Sequence, residues 1–208
     1  MSIVLYHHPW SRAAGVVWML EELGQPYELR FVDLMAGEHR QGPHESRNRM
    51  KKLPVLEDGD VVVSETAAIG VYLADRYALG ELAPALDDAQ RGEYLRWCFF
   101  SPSVIEPACM AKSAGWEYKA SSAGFGRYED VVATVDEAAA KGPWLLGDRF
   151  TMADVIVGGT LRWMLRFNMF DRTEAIGAYA DRLGERAALQ RANARNDQVS
   201  ADKGLPKS

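Results

Sequence analysis

Ser11, in the segment Pro9-Trp10-Ser11-Arg12, stands between a short apolar run and a stretch of helical periodicity. A serine at such a junction can simply cap the helix. The same geometry also suits an anion, because the first N–H groups of a helix lack intrahelical partners and the helix dipole favours negative charge there. A hydroxyl at that point can donate a hydrogen bond to a ligand's thiolate. A dithiol redox site would put Cys-x-x-Cys at this turn, and the lack of cysteine here excludes dithiol exchange by the protein itself. Leu53-Pro54 reads either as a proline opening an edge strand or as a cis-proline whose preceding residue offers its backbone to an extended peptide ligand. Ser64-Glu65-Thr66 starts a helix. It is either an ordinary helix start with a favourable acid or an amino-acid clamp, in which N–H groups and the Thr66 hydroxyl take a carboxylate and Glu65 holds an ammonium. His39, Lys51 and Lys52, taken singly, are a solvated basic surface.

These residues sit at the joints of regular elements. Ile3 to Tyr6 is an apolar run that reads as a buried strand, and Ala13, Val16, Val17, Leu20 and Leu23 share one face of a helix that Gly24 and Pro26 stop. Tyr27 to Asp33 alternates, with Leu29 and Phe31 on one side, as a second strand. The polar stretch that follows reads as loop with one irregular helix. Two apolar runs flank Asp58-Gly59, a hairpin signal, and Ser64 is placed to cap a third-helix region containing Ala68, Ile69, Tyr72 and Leu73. A strand–helix–strand start implies a parallel pair. Beyond a linker the chain holds no strand. Helices are expected at about 88–112, 125–141, 151–166, 174–183 and 186–196. Thr151-Met152-Ala153-Asp154 is a capping-box pattern, with Phe150 and Val155 placed as a staple. The tail after Asn196 has no long apolar run and is the one candidate for disorder. The expected fold is an α/β domain followed by an all-helical one.

Composition sets the class. The chain has 208 residues, 48% hydrophobic and 25% charged, with a net charge of −5. These are the values of a globular protein without the basic footprint of a nucleic-acid binder. No stretch approaches a membrane span of roughly 18 apolar residues, and the first residues do not read as a signal peptide. Cys98 and Cys109 fall in one expected helix, about 16 Å apart along its axis, too far for a disulfide. Two separated thiols fit a reducing cytosol, and their plain role is as small buried hydrophobes.

Strand, Pro-x-Ser-Arg, helix, Leu-Pro, hairpin, Ser-Glu-Thr, helix is the order of the glutathione-binding domain of glutathione S-transferases, and the chain resembles that family along nearly its whole length. Lys52-Leu53-Pro54-Val55-Leu56 resembles the family's Gly-Lys-Val-Pro-Val-Leu segment, with Lys51 where glycine is usual. Glu65-Thr66 resembles its Glu-Ser pair, and Thr151-Met152-Ala153-Asp154 matches the helix-start signature of its helical domain.

The resemblance implies a thioredoxin-like domain over 1–79, a linker over 80–88 and a helical domain over 89–208. In the serine-type classes (theta, delta and bacterial relatives) the serine after the first strand activates the glutathione thiol, which makes Ser11 the catalytic candidate with Arg12 beside it. His39 and Lys52 have the thirteen-residue spacing of the groups that hold the glycine carboxylate. Leu53 matches the residue whose backbone pairs with the cysteinyl unit, next to Pro54. Glu65 and Thr66 match the clamp for the γ-glutamyl end. Other classes use a tyrosine near the first strand; Tyr6 lies inside the strand run, where packing is the expected role. Trp10, Met110 and Trp116 are apolar candidates for the electrophile side, and Trp163 is expected in the core. The implied protein is a cytoplasmic homodimer that conjugates glutathione to hydrophobic electrophiles in detoxification, without a metal, a nucleic acid or a membrane. The alternatives are another glutathione-dependent reaction (isomerase, dehalogenase, ether cleavage, peroxidase) and non-catalytic glutathione binding.

Overall fold

The computed structural model describes residues 3–207. Two compact units emerge: residues up to Leu73 together with those from Ala187 onward, and Ala74–Arg186. Among the described residues no helix is long and apolar enough to cross a membrane.

The first unit is built on a four-stranded mixed sheet of order β2-β1-β3-β4. Strand β1 (Ile3–His7) is buried along its whole length, as its unbroken apolar run requires of a central strand. It pairs in parallel with β2 (Tyr27–Phe31), Leu5 opposite Leu29, and antiparallel with β3 (Val55–Asp58), Leu5 opposite Leu56. Between β1 and β2 runs α1 (Ala13–Leu23), which ends on Gly24 in the left-handed conformation, φ 64°. The strand β4 (Val61–Ser64) completes the hairpin. Asp58 pairs with Val61, so the two-residue turn is Gly59-Asp60, one position beyond the expected Asp-Gly pair, with Gly59 at φ 61°. Placing glycine first suits a turn that needs a positive φ at its first residue. A short α2 (Gly42–Arg47) lies in the long connection, and α3 (Thr66–Tyr77) follows the hairpin. The architecture is the expected thioredoxin-like one.

The helical half contains α4 (Arg91–Phe100), α5 (Glu106–Ser113), α6 (Tyr128–Lys141), α7 (Met152–Arg166) and α8 (Glu174–Gly184). The single helix expected at 88–112 carries a π-helical segment at Ser101–Ile105 instead. Pro102 and Pro107 explain it, since each removes a backbone donor and pushes against the preceding turn. Cys98 and Cys109 are buried free thiols on either side of that segment. At α7 the expected capping box is formed on both sides. Phe150 packs edge-on against Trp144, ring centroids 4.9 Å apart.

Two expectations are corrected. The tail after Asn196 is ordered, because α9 (Ala187–Asp202) continues to Asp202 and buries Ala188, Leu189, Ala192, Asn196 and Ser200; this helix packs on α1. Trp163 is 39% exposed; it lies on the outer side of α7 against Phe167, ring centroids 4.8 Å apart.

Candidate functional site

The topology decides which chain segments meet. Strand β1 ends at His7 opposite Phe31, the end of its parallel partner β2. Strand β3 runs the other way, so its first residue, Val55, lies beside Tyr6, and Ser64 at the end of β4 pairs with Val55. One end of the sheet therefore carries the loop after β2 (His39), the turn after β1 (Ser11), the entry to β3 (Lys52, Leu53, Pro54) and the exit from β4 (Glu65, Thr66). Strands are spaced about 4.8 Å apart, so the loops of β1 and β4 are separated by about 10 Å.

At the first of these loops the Ser11 hydroxyl donates to the His8 carbonyl at 2.8 Å and accepts the Ala13 N–H at 3.2 Å, while the Ser11 N–H donates to the same carbonyl at 3.0 Å. Ser11 is half-buried and Arg12 exposed, and α1 has no acidic residue in its first turn to neutralise its dipole. The turn is held from behind by two histidines that sequence reasoning passed over. His7 is fully buried, and its Nε2 meets the Asn196 side-chain oxygen at 2.7 Å; Asn196 Nδ2 also donates to the Ala14 carbonyl at 3.3 Å. Burial pushes the His7 pKa down to about 4 against the opposing Asn196 hydrogen bond. His8 accepts the Trp10 N–H at 3.1 Å and stacks near Phe31, and burial lowers its pKa too, with Asp33 opposing. Two histidines closing an apolar strand are a readable signal of a polar strand end. Asn196 could not have been found, because it lies 189 residues away.

The Leu53–Pro54 bond is cis, and Leu53 and Pro54 are buried. Lys51, at the position where glycine was expected, has φ 56°; a left-handed residue there explains the usual glycine, and the Lys51 ammonium pairs with Glu45 at 2.9 Å. Glu65 is exposed with φ 70°. A non-glycine residue held in that region is strained, and such strain collects at functional positions. Its carbonyl accepts the Ile69 N–H at 2.9 Å, so α3 starts immediately beyond it, with Thr66 half-buried. The His39 pKa is lowered by burial first and then by the positive charges of Arg40, His44 and Lys52, which places His39 and Lys52 within electrostatic reach of each other.

Tyr6 is not in this group. It is 5% exposed, its hydroxyl donates to Glu57 at 3.0 Å and accepts from Arg30 at 2.9 Å, and burial raises its pKa. A tyrosine held protonated in this way is a packing residue, as expected. Among the described residues no three His, Cys, Asp or Glu side chains are grouped to hold a metal ion.

Residues 1–75 match the family described as "Glutathione S-transferase, N-terminal domain", and residues 118–191 match "Glutathione S-transferase, C-terminal domain". The chain belongs to the glutathione S-transferase family. It is 36% identical to the glutathione S-transferase theta-2 of Rattus norvegicus over 101 residues, 47% of this chain and 41% of that protein. That alignment spans less than half of the relative. A glutathione S-transferase of Arabidopsis thaliana aligns over 99% of this chain and 100% of its own length at 26% identity. Among solved structures, a glutathione transferase family member from Pseudomonas fluorescens, with two glutathione bound, superposes with a TM-score of 0.74 at 25% identity, covering 91% of both chains.

The three apolar residues expected on the electrophile side divide between the units. Trp10 belongs to the sheet unit, half-buried, and its indole N–H donates to the Pro206 carbonyl at 3.2 Å. Met110, on α5, and Trp116, just beyond it, belong to the helical unit and are 42% and 59% exposed. Two large apolar side chains left open to water are available to a ligand.

Proposed function

We propose that this chain is a glutathione transferase that conjugates the glutathione thiolate to hydrophobic electrophiles, with Ser11 as the group that favours the thiolate. The observation that carries the reading is the convergence of Ser11, Leu53-Pro54, Glu65-Thr66 and the His39/Lys52 pair at one end of the sheet. A tripeptide spans about 10 Å when extended, about two strand spacings, so it can reach across the loops gathered at this end of the sheet. The strand order supports a linear arrangement: the glycine carboxylate beside His39 and Lys52, the cysteinyl unit between Ser11, Arg12 and the Leu53 backbone, and the γ-glutamyl end on Glu65 and Thr66. Pro54 shapes that entry to β3.

A free thiol has a pKa near 8.5 and is a few per cent thiolate at pH 7. The Ser11 hydroxyl has one proton, which here is bonded to the His8 carbonyl. Turning it to sulfur exchanges a neutral acceptor for a charged one. Hydrogen bonds to a charged group contribute about 1.5–3 kcal/mol and neutral ones about 1, so the exchange gains ~0.5–2 kcal/mol. The unneutralised N-terminus of α1 adds ~0.3–1. Together these lower the thiol pKa by up to about two units, at which the thiolate is the major species near neutral pH. Ser11 acts as a donor to sulfur, not as a nucleophile. Apolar surface for an electrophile is offered by Trp10 on the sheet unit and, separately, by Met110 and Trp116 on the helical unit. The working form is a cytoplasmic C₂ homodimer, which light scattering tests directly: a particle of one chain mass at micromolar concentration rejects it.

Calorimetry with glutathione, followed by a substrate panel, tests the function. Conjugation on the panel is the expected result. Turnover confined to isomerisation, dehalogenation, ether cleavage or peroxide reduction reassigns the reaction, and stoichiometric binding without turnover replaces it with a binding role.

A further inference from the structure

The helical unit contains a cavity of about 630 Å³ bounded by α7, the 167–173 connection and α8, within the range of about 300–1,000 Å³ typical of small-molecule sites. Its lining is cationic. Arg162 and Arg166 lie one turn apart on α7, and Arg172 comes from the connection, against two carboxylates, Asp171 and Asp181. Both carboxylates are already engaged: Asp181 pairs with Arg172 at 2.7 Å, and Asp171 with Lys112 at 3.3 Å. In a chain of net charge −5, a hollow lined by three guanidiniums runs against the sign of the whole molecule.

Arg162 is the informative residue. It is half-buried, and among the described residues its one hydrogen bond runs from Nη1 to the Ala180 carbonyl at 3.3 Å, with no carboxylate at ion-pair distance. A guanidinium has five N–H donors. Removing one from water without an anion is unfavourable, and burial accordingly lowers its pKa, with the Asp181 charge opposing. The helix α8 is shaped to receive these side chains. Gly177 and Gly184 are seven residues apart and so share a face. A Cβ at Gly184 would stand 3.3 Å from Arg162 Nη1, and one at Gly177 would stand 3.2 Å from Arg172 Nε. Alanine is the better helix former, and α8 uses it at 175, 178 and 180. Glycine replaces it where a guanidinium lies on the helix.

We propose that this cavity binds a small organic phosphate monoester, with its oxygens on the Arg162 guanidinium and on the donors of Arg172 that Asp181 leaves open. The planar guanidinium fork matches the oxygens of phosphate in paired hydrogen bonds, and a dianion with three terminal oxygens can serve two guanidiniums where one carboxylate serves one. Leu165 and Phe170 supply an apolar wall for the organic part. All of these residues belong to the helical unit, so the site shares no side chain with the one proposed for glutathione.

Phenyl phosphate is a suitable probe, titrated into the full-length chain by calorimetry at fixed ionic strength. The expected result is saturable binding of one molecule per chain, competed by inorganic phosphate, with benzoate at least about tenfold weaker. Arg162→Gln should weaken binding at least about tenfold and, without the anion, leave the fold as stable as wild type or more so, because an unmatched buried charge is gone. Arg172→Gln, at a more exposed position, should weaken it as well and guards against a folding failure of the first variant. Lys52→Gln, which removes a cation at the sheet end, should leave it unchanged. The proposal is overturned if phenyl phosphate does not bind saturably, if both arginine variants bind it as wild type does, or if Lys52→Gln abolishes binding, which would put the anion at the sheet end instead.

Discussion

The chain contains two helix starts that look alike in sequence and differ in how completely they are closed. At α7, Asp154 is fully buried and collects four donors: the Thr151 N–H at 2.9 Å, the Thr151 hydroxyl at 3.3 Å, the Leu145 N–H at 2.9 Å and the Tyr179 hydroxyl at 3.0 Å. At α1, Ser11 is half-buried, its hydroxyl is spent on a neighbouring carbonyl and one N–H, and the first turn has no acid. A helix N-terminus needs negative charge. The start of α7 carries its own and is structural; the start of α1 lacks it and, under the proposed function, receives it from glutathione. The difference lies in where the anion comes from, not in the capping residue.

The largest effect should come from emptying the closed start. Asp154→Ala leaves the Leu145 and Thr151 N–H groups and the Tyr179 hydroxyl buried without an acceptor, at about 1–3 kcal/mol each. Urea denaturation should show a loss of at least about 3 kcal/mol; a loss below ~1 would mean the box is not what holds α7. The two starts should also respond to pH in opposite directions. His7, behind the α1 turn, has its pKa lowered from 6.5 to about 4, so its folded form resists protonation. The stability it contributes is present above pH 6.5 and is lost as the pH falls towards 4, about 3 kcal/mol in all. Asp154 has its pKa raised from 3.8 to about 6, burial outweighing its four hydrogen bonds. Its contribution is present at low pH and is lost as the pH rises through 6. Hydrogen exchange, corrected for intrinsic rates, should show β1 and α1 losing protection between pH 6.5 and 4 while α7 holds or gains it. Parallel losses in both would break the comparison.

Ser11→Ala probes the open start. We expect conjugation at pH 6.5 to fall by up to about 30-fold, following the share of the pKa shift that the hydroxyl supplies, with glutathione affinity changed only a few-fold and stability reduced by about 1 kcal/mol. Raising the pH should restore part of the rate, and thiolate absorbance followed against pH should show the bound-thiol pKa rising. A titration curve unchanged by Ser11→Ala but shifted by Tyr6→Phe would transfer the activating role to Tyr6. The smallest effect concerns Glu65, whose replacement by alanine should weaken glutathione binding about tenfold, ~1.4 kcal/mol. Unchanged affinity by calorimetry in a folded variant would remove it from the clamp.

Local patterns determined much of this protein from the sequence alone. The unbroken apolar run of β1, the 3.6-residue spacing of α1, Gly24 as its stop and the Thr151–Asp154 box each depend on neighbours a few residues away, and each appears in the structure at or near its expected place. The hairpin was legible too, though its turn lies one residue later than the Asp-Gly pair suggested. Ser11, Leu53-Pro54 and Glu65-Thr66 could be named from the chain because each stands at a junction between two such elements. What tertiary structure alone decided are the relations across long stretches of sequence. That α9 runs to Asp202 and packs on α1, that Asn196 reaches His7, that Trp163 faces outward and that Arg162 meets α8 without a carboxylate all depend on which surfaces meet after folding. Periodicity states which face of a helix is apolar; it does not state what that face covers, because burial free energy is non-directional and the partner is chosen by the packing of the whole unit.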